Sequence, residues 1–158
     1  LAIGIAAGLA AVVNGVRWVG WLDRKVGSVP LLWVLHAAYG WLVLGFAMKA
    51  LGAAGMVSPL LAVHALTAGG IGGATIGMMA RVSLGHTGRT LDLPRGMAAA
   101  FVLLNAAAVV RVLVPLLAPA EYALWIGLSG ALWALAFAIF VVDYAPILYR
   151  PRIDGRPG

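Results

Sequence analysis

The sequence predicts an all-α polytopic bundle of about five transmembrane helices, the first of them truncated, with the C-terminus on the cytoplasmic side. Three observations carry this. Of the 158 residues, 63% are hydrophobic and only 10% charged, and the mean hydropathy of +1.02 lies far above that of soluble domains. The apolar residues also come in runs close to the roughly 20 that a helix needs to cross a hydrocarbon core, where backbone groups find no partner outside their own helix. Finally, the basic residues gather at alternate junctions between those runs, as the positive-inside rule expects.

Taken in chain order, the spans are expected over about 1–16, 30–48, 59–80, 96–117 and 122–142. The chain opens on Leu1 in mid-run, without Met or a basic leader. It is therefore read as one transmembrane domain over 1–158, the C-terminal part of a longer protein whose N-terminal half is missing. Helix signals mark several starts. Ser58 before Pro59 is an N-cap followed by Pro at the first helical position, Asp92 before Pro94 is read the same way, and Glu121 suits a first turn. Arg17, Arg24, Lys25, then Arg81, Arg89, Arg95, then Arg150, Arg152, Arg156 make up the first, third and fifth junctions, against only Lys49 and Arg111 on the other side. By this bias the basic junctions are cytoplasmic. Trp18, Trp21, Trp33, Trp41, Trp125, Tyr122, Tyr144 and Tyr149 are read as interfacial anchors.

Composition also excludes several classes. The net charge of +6 is accounted for by the junctions, so no nucleic acid partner is implied; the expected surroundings are a lipid bilayer. With no cysteine, thiolate metal sites cannot form, and any metal relies on His, Met or oxygen ligands. No Ser nucleophile stands beside a credible base, no phosphate-cradling loop is present, and "GGIGG" lacks the βαβ setting of a dinucleotide site. No enzyme reaction is assigned.

The third span carries the strongest pattern. At 100° per residue Gly69, Gly73 and Gly77 form a small-xxx-small seam that lets a neighbouring helix approach closely. Roughly opposite, His64, Ala68, Ile71, Thr75, Met78, Met79 and Val82 share a direction, which lines up an imidazole, a hydroxyl and two thioethers suited to haem iron or copper. Ordinary bilayer filling explains the Met and Thr residues equally well. A polar side chain within a span marks an interior or functional position, so His64 is either a ligand or a structural residue bonded to a carbonyl. His36, with Tyr39 one turn on, poses the same choice. His86, flanked by Gly85 and Gly88, lies in a turn at the basic border, as a solvated loop residue or a ligand.

Spacing limits which of these cooperate. His64 and His86, 22 residues apart, stand about 33 Å apart on a straight helix and cannot share a metal within one chain. His36 and His86 lie toward the same border and can flank one centre. Arg111 matches His64 in depth and is expected beside it, either binding a haem propionate or another anion, or snorkelling to the surface. Asp143 and Arg150 are expected to pair, and Asn105 to make an interhelical hydrogen bond.

The runs "LLWVLHAAYGWLVLGF", "HALTAGGIGGATIGMMARVSLGHTGR" and "YAPILYRPRIDGRPG" resemble the C-terminal part of the NnrS family. The resemblance covers most of the chain. It implies a polytopic bacterial inner-membrane protein that contains haem and copper and serves the response to nitric oxide and nitrosative stress. His36, His64 and His86 then become the preferred metal ligands. Arg111, Met78, Met79 and Tyr39 are candidates for cofactor contact, and nitric oxide or a related small molecule is the ligand. A transporter or channel segment moving protons or anions past the intramembrane His and Arg is the alternative; broken helices would favour it.

Overall fold

The protein is described by a computed structural model over residues 1–155; Arg156 of the third basic junction lies outside the described residues. Five helices are long and apolar enough to cross a membrane: Ala2–Gly20, Pro30–Ala53, Pro59–His86, Met97–Leu117 and Pro119–Tyr149. They are built from α1 (Ala2–Gly20), a short α2 (Arg24–Ser28), α3 (Pro30–Ala53), α4 (Pro59–His64) running through a π-helix (Ala65–Ile71) into α5 (Gly72–His86), α6 (Met97–Val112), α7 (Val114–Leu117), and α8 (Tyr122–Tyr149) after one 3-10 turn. No strand occurs among the described residues. Every span outruns its expected end by four or more residues except the fourth. The flanking turns are helical too, because a helix continues past the hydrocarbon until a glycine or proline stops it.

Small residues set the packing. α1 lies antiparallel on α3, with Gly4 against Ala53, Gly8 against Ala50 and Gly15 against Val43. The predicted seam of the third span is present and faces α3. A Cβ at Gly73 would sit 3.0 Å from that of Ala38, one at Gly77 would sit 2.9 Å from Val34 Cγ1, and one at Gly69 would collide with the Trp41 ring. Such close approach replaces, in lipid, the hydrophobic drive that packs soluble helices.

Two apolar cores result. Toward the basic border lie Leu31, Val34, Ile76, Ala80, Leu84, Met97, Phe101 and Leu104, with Phe140 and Tyr144 of α8. Toward the opposite border lie Trp41, Met48, Leu61, Ala62, Ala65, Ala108 and Val112. Between them the expected interhelical bond of Asn105 is made. Trp41 Nε1 donates to Asn105 Oδ1 at 3.0 Å, and Asn105 Nδ2 donates to the Phe101 carbonyl. Trp41 and Tyr144 are thus buried within the bundle and do not anchor at the interface, contrary to their place in the aromatic list.

Three further expectations are corrected. The α6 N-terminus is at Gly96–Met97, so Asp92 caps no helix; its carboxylate accepts from Thr90 Oγ1. Asp143 accepts from Gly96 N–H at 3.1 Å, and so satisfies the first turn of α6 from a neighbouring helix where pairing with Arg150 was expected. The third span is not a straight α-helix. Through Ala65–Ile71 it winds as a π-helix, with Gly72 N–H reaching back five residues to the Thr67 carbonyl. The fourth span breaks at Leu113, where Pro115 has no N–H to offer the Arg111 carbonyl four residues back.

The chain past α8 ties back to the end of α5. Arg152 Nη1 donates to the His86 carbonyl at 2.7 Å, Ile153 N–H donates to the Thr87 carbonyl, and Arg152 forks onto both oxygens of Asp154. Gly88 turns with φ +73°, and a Cβ there would meet the Asp154 carboxyl. The carboxylate holds the Arg152 pKa above its ordinary value. A cation whose folded pKa is raised contributes below its unfolded pKa and loses that contribution only as pH rises through the folded one; the clamp is therefore intact throughout the neutral range.

Gly69→Val and Gly73→Val should each destabilise the bundle by about 1–3 kcal/mol through overpacking, whereas Gly127→Val, with nothing within 4 Å of a Cβ, should stay within about 0.5 kcal/mol; thermal unfolding in detergent measures both. In hydrogen exchange, Arg152→Ala should strip protection from the Ile153 amide while α3 is unaffected. The wild-type protection factor there should not change between pH 6 and pH 9.

Candidate functional site

The site forms where the third, fourth and fifth spans meet in the half of the bundle away from the basic junctions. His64 closes α4, one residue before the π-helix, and Thr67 and Ala68 follow within it. Arg111 comes from the last turn of α6, and Ser129, Gly130 and Trp133 come from α8. Together these seven residues line a cavity of about 410 Å³. Arg111 is near enough to act electrostatically on His64, as their matched depths predicted.

Its polar groups are unusual in being uncommitted. Thr67 Oγ1 donates back to the Val63 carbonyl, which settles one of them. Among the described residues, the His64 ring, the Arg111 guanidinium and the Ser129 hydroxyl make no side-chain hydrogen bond or ion pair. Ser129 is only 5% exposed. A guanidinium and an imidazole within a span are costly unless something pairs with them. Three helices therefore deliver a cation, an imidazole and a hydroxyl to one space without satisfying them, an arrangement suited to a ligand that supplies an acceptor and an electron-poor centre.

Distance along the span keeps the methionines out of this group: Met78 and Met79 come 14 and 15 residues after His64, roughly 21 Å of helix rise. The intervening π segment carries more residues per turn than an α-helix, so a straight projection does not give the angle between them. His64 points into the cavity, while Ile71, Thr75, Met78, Met79 and Val82 lie on the exposed outer face of the third span. Met78 and Met79 are 46% and 38% exposed and do not reach His64's cavity.

His36 and Tyr39 face a different neighbour. The His36 ring stacks on Trp18 with centroids 5.2 Å apart, and Trp18 Nε1 donates to the His36 carbonyl. Tyr39 donates to Asn14 Oδ1 at 2.6 Å and lies against Trp21, over which Arg17 is placed. Both residues are thus turned toward α1, while Val34, Ala38 and Trp41 of the same helix face the glycine seam. His86 is the last residue of α5, with an exposed side chain and a carbonyl held by Arg152. The structure does not bring His36 and His86 together. Among the described residues no three His, Cys, Asp or Glu side chains are grouped to hold a metal.

Sequence reading missed Ser129, Trp133 and Thr67. A signal existed for the first two: they stand four residues apart on one face of a long apolar helix, with the Trp well inside the span where an interfacial anchor does not belong. The bond between Trp133 and the site's floor is packing: a Cβ at Gly72 would meet Trp133 Nε1 at 3.1 Å, so the indole needs that glycine.

No curated protein and no solved structure matches the chain. Residues 1–152 match the family profile described as NnrS protein. With five helices fit to span a membrane and that match over nearly its whole length, the chain is a multi-pass membrane protein of the NnrS family.

Proposed function

We propose that this protein binds haem in the bacterial inner membrane and serves the response to nitric oxide and nitrosative stress, with His64 as an iron ligand. One observation carries the reading: His64 and Arg111, neither with a protein partner, line the same cavity. The donor set fits haem. His64 offers an imidazole nitrogen, Arg111 is a cation placed to bind a propionate, and Ala68, Gly130 and Trp133 supply apolar wall. When bound, haem supplies an iron centre able to take up nitric oxide or a related small ligand.

The remaining work falls to the chain. A neutral His64 would present its nitrogen lone pair to the iron. Arg111 offsets negative charge brought into a low-dielectric site. The Ser129 hydroxyl offers a donor at the cavity wall.

Copper fits less well. Within the described residues no three His, Cys, Asp or Glu side chains are grouped, and Met78 and Met79 face outward. Copper binding by His36, His86 or the methionines would need donors from another part of the protein. The alternative of proton or anion transport gains from the π turn and the break at Pro115, but the half of the bundle toward the basic border is packed with Leu31, Val34, Ile76, Leu84, Met97 and Phe101, which leaves a dry plug below the cavity.

The test is the absorption spectrum and copper content of the purified full-length protein. His64→Ala should abolish or shift the Soret band, whereas His36→Ala and His86→Ala should leave it in place. Arg111→Gln should weaken haem affinity by about 10- to 100-fold, as expected for one charge-assisted pair of about 1.5–3 kcal/mol, without altering the ligation spectrum. A Soret band unchanged in His64→Ala would end the assignment.

A further inference from the structure

A second cavity, separate from the His64 site, opens at the border away from the basic junctions. α1 packs against α3 alone and does not touch the third span. This leaves a crevice of about 230 Å³ between them, with Ile3 on one wall, Val63 and Leu66 on the other, and Lys49, Gly52 and Ala53 along the α3 floor. Its walls are apolar apart from the Lys49 ammonium. Lys49 has no hydrogen bond or ion pair among the described residues. The chain also offers it no counter-charge nearby: of the five acidic residues, Asp23, Asp92, Asp143 and Asp154 lie at the basic border, and Glu121 begins the fifth span, which does not line the crevice.

We propose that this crevice binds one anionic phospholipid, with its phosphodiester on Lys49 and an acyl chain between α1 and the third span. The chemistry requires both halves. A free anion would be served by the ammonium but gain nothing from Ile3, Val63 and Leu66. A zwitterionic lipid would fill the slot but bring its own cation to the lysine. Lys49 lies one turn before the end of α3, the depth at which an ammonium on a flexible stem reaches headgroup phosphates.

Native mass spectrometry of the full-length protein in detergent, with added phosphatidylglycerol or phosphatidylethanolamine, tests the site. Phosphatidylglycerol should be retained in preference. Its retention should fall about fivefold in Lys49→Gln, the share one basic residue contributes at an anionic surface, and at least as far in Val63→Trp, which fills the crevice from a half-exposed position. Arg24→Gln at the opposite border should retain lipid as wild type does, and so should His64→Ala, which separates this site from the haem reading. Unfolding temperatures confirm that each variant is folded. Equal retention of the two lipids, no loss in Lys49→Gln, loss in Lys49→Gln with none in Val63→Trp, or displacement by inorganic phosphate alone would each overturn the proposal.

Discussion

The close contact between the second and third spans is the constraint on which the rest of this bundle depends. Lipid offers helices no hydrophobic reward for meeting, so contact has to come from shape. Gly69, Gly73 and Gly77 provide it by removing every side chain between the third span and Trp41, Ala38 and Val34. Trp41 then passes beside the glycine face to reach Asn105 on α6. One indole thereby joins three spans, and its N–H finds the acceptor that the hydrocarbon would not supply.

That contact has a consequence for the polar groups. With one face of the third span given to α3, His64 is left for the cavity it shares with Arg111 of α6 and Ser129, Gly130 and Trp133 of α8. The same division occurs on α3. Its inner face meets the glycines, and His36 and Tyr39 are left for α1, where Trp18, Trp21 and Asn14 take them up. The three histidines of this chain thus have three different surroundings: an open polar cavity, an aromatic stack, and the exposed end of a helix. The first alone places its imidazole on the cavity of about 410 Å³ beside Arg111.

Much of the architecture could be read from residue order. Hydrophobic runs separated by alternating basic junctions led to five spans, and glycine spacing located the tightest interface. The depth argument for His64 and Arg111 worked because depth in a membrane scales with helix length, a one-dimensional quantity. Rotation about the helix axis is the part that residue order does not carry. It accumulates over residues, and seven residues of π winding stand between His64 and the methionines, so a straight 100° projection does not describe the angle between them. No single-sequence feature announces that winding. Asp143 illustrates another gap: a carboxylate near a basic border suggests an arginine, yet here a backbone N–H on another helix takes it. The histidine string at the end of the third span carried a further lesson, since His86 and Gly88 serve the chain's return past α8 through a carbonyl and a turn.

The π segment acts, in effect, as a one-residue surplus stored in the middle of a span. Excising a residue between Leu66 and Gly70 would let the segment relax to ordinary winding, and because a π turn takes in about one residue more than an α turn, the Pro59–His64 end would keep its direction relative to the glycine ridge. Removing a residue from the α-helical turns between Gly72 and Gly77 would instead rotate that end by about 100° and swing the imidazole away from the guanidinium although neither had been altered. Length is thereby buffered within the π stretch and under constraint in the turns that follow it.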